Sequence, residues 1–306
     1  MVELTGHADP VNAVAFSSDG RWLASAGDDG AVFLWDLHQQ SGQVRIAWGA
    51  KYIFSLAFSP DCQTLAVGTE TSVLLLRELD GEWQPLQQWK DHHAWVNALA
   101  FDSGGLLLAS GGTDGFVRIW DCQQQRRKPL RVLGTGLGPV RSLAFSPNGL
   151  VMAVSGRSGV GVWAAQESEP LLLHRLKDAD ARTVTFSANG SLLLAAVGRA
   201  VLMIDARTLR VDELFRGRPG FFRCVAASPL CPLLLVGRED GSVQLWDLTV
   251  KTQRRLYSWH SGAVNSVAFH PSGLSAASAG DDFSVRFWGF NIKMTDAPAP
   301  ARSEAK

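Results

Sequence analysis

Short apolar runs alternate with tight polar turns along this chain, and the alternation itself repeats. Val11–Phe16 is a run of β-formers closed by Ser17-Ser18-Asp19-Gly20. Trp22–Ala26 is a second run, closed by Gly27-Asp28-Asp29-Gly30, and Val32–Asp36 is a third. Val44–Trp48 follows as a fourth, after a polar loop over 39–42. Four short runs joined by tight turns predict a four-stranded antiparallel meander. Runs that are apolar on both faces must be covered on both sides.

The same segment returns six more times. Its first runs begin at Val11, Ile53, Val96, Val140, Ala181, Phe222 and Val264, spaced 42, 43, 44, 41, 41 and 42 residues apart. A fixed period of this length marks an array of equivalent units, each unable to bury its faces alone. Stacked meanders cover one another, and closing the stack into a ring removes the two open ends.

The first unit, from Leu4 to Leu37, resembles a WD40 repeat throughout, with Gly6-His7, Asp29 and Trp35-Asp36 at the family's spacing. Trp120-Asp121 and Trp246-Asp247 repeat the signature dipeptide, while Trp163-Ala164 and Trp288-Gly289 keep only its tryptophan. The second and fifth units carry Leu76 and Ile204 in that place. The resemblance implies an all-β, seven-bladed β-propeller of four-stranded antiparallel blades. The last unit stops after its third run, and a spare run, Val2–Thr5, precedes the first unit. As in WD40 proteins, that strand is expected to complete the last blade. The propeller is expected over 1–293, and the Ala/Pro-rich segment 294–306 is expected to be a disordered tail.

Composition adds limits. The chain has 306 residues, 46% of them apolar and 19% charged, with a formal net charge of zero. Zero net charge argues against a general grip on nucleic acid or an anionic membrane. Four cysteines at 62, 122, 224 and 231 form no CxxC pair and read as free thiols. No apolar stretch is long enough to span a membrane, and the first residues show no signal-peptide pattern, so the expected compartment is the cytoplasm.

A His, a Ser, an Asp and a Trp recur together: His7, Ser25, Asp29 and Trp35; His92, Ser110, Asp114 and Trp120; His260, Ser278, Asp282 and Trp288. Ser, His and Asp together suggest hydrolase chemistry. Three copies at equivalent positions speak against it, because a catalytic site is needed once. The WD40 resemblance implies a structural relay instead: Asp to His, His to Ser, Ser to the indole N–H. The sixth unit keeps Asp240 and Trp246 with Arg218 in place of His. The second, fourth and fifth units keep essentially none of the set and are expected to be the softer sector. The glycine-rich stretch Gly134–Gly138 leads into a strand, not a helix, so it lacks the make-up of a dinucleotide loop. No catalytic, cofactor or metal residues are assigned.

The resemblance places the partner-binding surface on the face that carries the loops before each first strand and between second and third strands. Before the first strand stand Pro10, Tyr52, Trp95, Pro139, Asp180, Phe221 and Ala263. The second residue of that strand is Asn12, Phe54, Asn97, Arg141, Arg182, Arg223 and Asn265. A third set, ahead of the network aspartate, reads Asp28, Thr69, Thr113, Gly156, Val197, Glu239 and Asp281. Arg141, Arg182 and Arg223 fall on three consecutive units, and Tyr52, Phe54, Trp95 and Phe221 add aromatic area. Arginine and aromatic residues are enriched at binding hot spots. The expected function is a non-catalytic scaffold that holds protein partners, within a larger complex, through an acidic or C-terminal peptide segment. The competing arrangement pairs the arginines internally with Asp180 or Glu239. The competing functions are a regulatory subunit beside a separate effector and, behind it, a propeller enzyme.

Overall fold

A computed structural model describes residues 1–38, 43–47, 50–124, 126–167, 169–176, 180–216 and 220–290. Among these, 28 strands form seven four-stranded antiparallel sheets. Blade 1 holds β2 (Val11–Phe16), β3 (Trp22–Gly27), β4 (Ala31–Asp36) and β5 (Gln43–Ala47). Each later meander follows in chain order through blade 6. Blade 7 joins β26 (Val264–Phe269), β27 (Ser275–Gly280) and β28 (Val285–Gly289) to β1 (Val2–Leu4) from the other end of the chain. Val2, Glu3 and Leu4 lie opposite Phe287, Arg286 and Val285. The spare N-terminal run therefore closes the ring and covers the edge that β28 would otherwise expose. The fourth strand of blade 1 ends at Ala47, so Trp48 lies outside the described residues, as do Arg218 and the segment 294–306.

The first turn of each meander is built by its own side chains. In blade 4, Ser146 Oγ donates to Asn148 Oδ1 at 2.7 Å, and that oxygen also accepts from Leu150 N–H at 3.1 Å. Gly149 then takes φ 71°, a region that favours glycine. Blade 2 places Cys62 there at φ 61°.

Packing follows blade by blade. β3 and β4 are buried along their whole length, while the outer strand of blade 6, Thr252–Ser258, is largely exposed. Each blade interface has its own apolar cluster, seven in all among the described residues. Trp22 of blade 1 meets Trp83 of blade 2 edge-on, with ring centroids 6.2 Å apart. Leu76 and Ile204, which replace the signature tryptophan, are fully buried and fill its place with aliphatic volume.

One irregularity positions the site. In all seven blades the first strand pairs with the second through its first residue, skips the next, and resumes at the third. A bulge of this kind re-aims the side chain of the unpaired residue. The skipped residues are Asn12, Phe54, Asn97, Arg141, Arg182, Arg223 and Asn265.

Candidate functional site

The first strands of neighbouring blades pack side by side around the ring. The seven bulged residues consequently converge. All of them line one central cavity of about 310 Å³, together with Ser55, Ser142, Thr183, Cys224, Ser266 and apolar neighbours. Among the described residues no acid or histidine lines it.

The asparagines hold blades together. Asn12 Nδ2 donates to Ile53 O of the next blade at 2.9 Å and to Asp28 Oδ1 at 2.7 Å. Asn97 bonds to Val140 O and Thr113 Oγ1, and Asn265 to Val11 O and Asp281 Oδ1. Where the bulged residue is Phe or Arg, the following residue can take over the link to the next blade. Ser55 Oγ donates to Val96 O at 2.8 Å and Thr183 Oγ1 to Arg223 O at 3.0 Å. Arginine at this position thus gives up a bond that asparagine makes.

The three arginines are sparsely satisfied. Arg141 Nη2 lies 3.4 Å and Arg182 Nε 4.0 Å from the same Asp180 oxygen. The internal pairing weighed from the sequence is thus present for these two and is shared with one carboxylate. Arg141 Nε and Asp180 Oδ1 are buried without hydrogen-bond partners. Arg223 donates to a neutral amide, Asn265 Oδ1, at 2.9 Å. Burial pulls the Arg182 guanidinium below the usual arginine range, and the nearby Arg223 and Arg141 charges act in the same direction.

The aromatic residues divide into two groups. Tyr52, Phe54 and Trp95 form a ladder across blades 2 and 3: Phe54 stacks on Trp95 at 4.8 Å between centroids, with Tyr52 6.2 Å from Phe54. Trp95 remains 51% exposed. Phe221, on blade 6 across the ring, is also exposed and lies under the Arg199 guanidinium at 5.5 Å. It does not join the ladder.

Strand register corrects the third set of face residues. The residue opposite the start of the first strand is Gly27, Thr69, Gly112, Gly156, Val197, Arg238 or Gly280. The face position is the next one: Asp28, Glu70, Thr113, Arg157, Gly198, Glu239 or Asp281. Thr69, Gly156 and Val197 are therefore one residue early, because the turns of blades 2, 4 and 5 are a residue shorter than that of blade 1. The exposed Arg157 thus occupies the place where Asp28 and Asp281 satisfy an asparagine amide. The Gly156–Gly159 hairpin is the signal that would have revealed it.

The recurrent polar set is placed as a relay in blade 1. His7 Nδ1 is 2.9 Å from Asp29 Oδ2, His7 Nε2 is 2.9 Å from Ser25 Oγ, and Trp35 Nε1 donates to Ser25 Oγ at 3.0 Å. Blade 3 repeats it through His92, Asp114, Ser110 and Trp120, and adds the buried Arg118, whose Nη1 donates to Asp114 at 2.8 Å. Burial pulls the His7 and His260 imidazoles below their ordinary range, and His92, with Arg118 beside it, down to about 4. In blade 1 a neutral His7 ring beside the aspartate carries its proton on Nδ1, leaving Nε2 to accept from the serine hydroxyl, whereas in blade 3 the Arg118 donor also lies 2.8 Å from His92 Nδ1. Blade 7 joins His260 to Asp282 and Ser278, but the expected fourth member stands apart: Trp288 Nε1 does not reach Ser278. Its ring packs against Trp259 and Tyr257. Blade 4 keeps the tryptophan, Trp163, but has Val154 in the place of the relay serine; the polar atoms of Trp163 and of the neighbouring Ser155 are buried and unbonded. Cys122 and Cys224 are free thiols whose burial pushes each up to about 12.

A closed ring of seven meanders, fastened by its own N-terminal strand, defines a seven-bladed propeller. The WD40 family description, "WD domain, G-beta repeat", matches residues 1–36, 83–121, 127–163, 213–247 and 251–289. This chain belongs to the WD40-repeat family. The matched segments leave out most of blades 2 and 5, where Leu76 and Ile204 stand. The chain is 37% identical over 126 residues to the small ribosomal subunit protein RACK1y of Oryza sativa subsp. japonica, covering 39% of this chain and 36% of that protein. It is 25% identical over 304 residues to transducin beta-like protein 3 of Rattus norvegicus, covering 93% of this chain and 37% of that one. Against the serine-threonine kinase receptor-associated protein of Dictyostelium discoideum it is 23% identical over 295 residues, covering 93% and 97%. The chain thus spans little more than a third of the length of the first two relatives. WD40 propellers generally bind proteins and are mostly non-catalytic. Among the described residues no helix is long and apolar enough to cross a membrane.

Proposed function

We propose that this chain is a non-catalytic scaffold that captures a partner protein on the face carrying the seven bulged residues, as a subunit of a larger complex. One observation carries the reading: seven equivalent bulges aim seven side chains into one cavity, and three consecutive ones are arginines that forgo the asparagine's bond to the next blade. A cluster of like charges gathered at one mouth, with the Arg141 Nε donor left unsatisfied, supports a role outside the fold. The aromatic ladder beside it supplies area for apolar contact, and the arginines suit an acidic or C-terminal segment. The printed names of two relatives, a ribosomal-subunit protein and a receptor-associated protein, also describe members of assemblies. A cavity lined without acid or histidine offers no general acid or base. Affinity purification with mass spectrometry, run beside the Arg141→Glu/Arg182→Glu/Arg223→Glu variant, tests the proposal. The variant is expected to melt like the parent and to lose the partners. Equal recovery from both chains would sink the assignment of this face.

A further inference from the structure

The charge on this face is segregated although the whole chain is neutral. Over blades 4 to 6 the described residues place Arg141, Arg182 and Arg223 at the cavity and the exposed Arg157 and Arg199 in the adjoining turns. Arg157 N–H donates to Pro139 O, two residues before Arg141, and Phe222 N–H to Gly198 O, which sets Arg199 beside the start of the Arg223 strand. Among the described residues, two carboxylates face this group. Asp180 is shared between two guanidiniums at long distances, and Glu239 sits at the face position of blade 6. Among the described residues the five guanidiniums therefore outnumber their carboxylates, and the Arg141 Nε donor is buried with nothing to bond.

We propose that the mouth of the central cavity over blades 4 to 6 is a binding site for a phosphoryl group. The inference rests on the scaffold reading and specifies what the arginines take. A second carboxylate would bring one negative charge, whereas a phosphoryl group brings about 1.5 to 2 at neutral pH and three acceptor oxygens. Those three oxygens match three guanidiniums arriving from three separate blades, each a charge-assisted donor. Asp180 then serves as the fixed counter-charge that keeps Arg141 and Arg182 aimed at the mouth while the site is empty of ligand. Burial and the neighbouring arginines also depress the Arg182 guanidinium, which is the electrostatic tension that an incoming dianion relieves.

The test uses the full chain in chloride buffer at fixed ionic strength. Inorganic phosphate, pyrophosphate and a short glycine/serine peptide bearing one phosphoserine are titrated, with melting temperature and calorimetric affinity as readouts. A saturable rise in melting temperature is expected. The phosphoserine peptide is expected to bind at least about tenfold more tightly than its glutamate counterpart. A phosphopeptide that outbinds pyrophosphate identifies a partner-borne group, and the reverse order identifies a free anion; both outcomes support the phosphoryl site. The Arg141→Asn/Arg182→Asn/Arg223→Asn variant carries the residue that blades 1, 3 and 7 already hold at this position, so it is expected to fold and to lose the response. Absence of any saturable shift, an undiminished shift in that variant, or equal affinity for glutamate and phosphoserine peptides would overturn the proposal. The scaffold reading would survive that result if the glutamate variant still lost its protein partners.

Discussion

Removing the hydroxyl of Ser25 should cost far more than removing that of Ser155, although both serines are fully buried on the second strand of their blades, 1 and 4. Ser25 is fully buried; its oxygen accepts from Trp35 Nε1 at 3.0 Å and its proton goes to His7 Nε2 at 2.9 Å. Ser25→Ala strands a buried indole N–H and a buried imidazole nitrogen. Each orphaned group costs about 1–3 kcal/mol, so the loss should be about 2–6 kcal/mol. Ser155 is equally buried, yet its hydroxyl and the Trp163 indole N–H are already unbonded. Ser155→Ala strands nothing and removes an unsatisfied polar atom, so it should be neutral or stabilising by up to about 1 kcal/mol. Ser278→Ala in blade 7 should fall between, because Ser278 serves His260 alone while Trp288 packs elsewhere. Urea unfolding of the three variants and the parent, with midpoints and slopes compared, measures the series. Equal losses at 25 and 155 would refute the claim that bonding, rather than burial alone, sets the cost.

Three further outcomes are expected. Deleting Met1–Thr5 removes the pairing to β28 and the Leu4 contact with the blade 7–blade 1 core, and should destabilise the chain by about 3 kcal/mol or more; a truncated chain melting like the intact one would count against the closure. Acid should weaken the fold through His92: its folded-state value of about 4 lies below the ordinary 6.5, so the unfolded chain binds the extra proton between them. Stability is then full above about pH 6.5 and falls as pH drops toward 4, by about 3 kcal/mol at the low end, a slope that urea titrations should find reduced in His92→Asn. Arg223→Asn should raise the melting temperature, because an asparagine there can reach Val264 O and Glu239 as Asn12 reaches Ile53 O and Asp28, a gain of about 1 kcal/mol; a lower melting temperature would show that the arginine stem packs better than the amide bonds.

The repeat made the strands, the turns and the ring legible, because each depends on local chemistry: apolar runs of one length, Ser-x-Asp/Asn-Gly turns, and a spare strand at one end with a missing one at the other. The arginine positions were legible for the same reason, since they break a sevenfold pattern at one register place. The relay was legible in blades 1 and 3 and misread at Trp288, whose ring follows its aromatic neighbours instead of Ser278. Counting residues by repeat also misplaced the face position in blades 2, 4 and 5, because a turn shorter by one residue shifts everything after it. That shift hid Arg157.

What the amino-acid sequence determined by itself is therefore the unit and its number: seven meanders, their order, and which residue stands second in each first strand. Only the tertiary structure decided that those seven second residues meet. Convergence needs a bulge in every first strand to turn the side chain inward and a closed ring to bring residues about forty apart to one cavity, and neither leaves a mark in local periodicity. The same holds for Asp180 between Arg141 and Arg182, for the separation of Phe221 from the aromatic ladder, and for the unmatched positive charge over blades 4 to 6. Each is a property of distances across the ring.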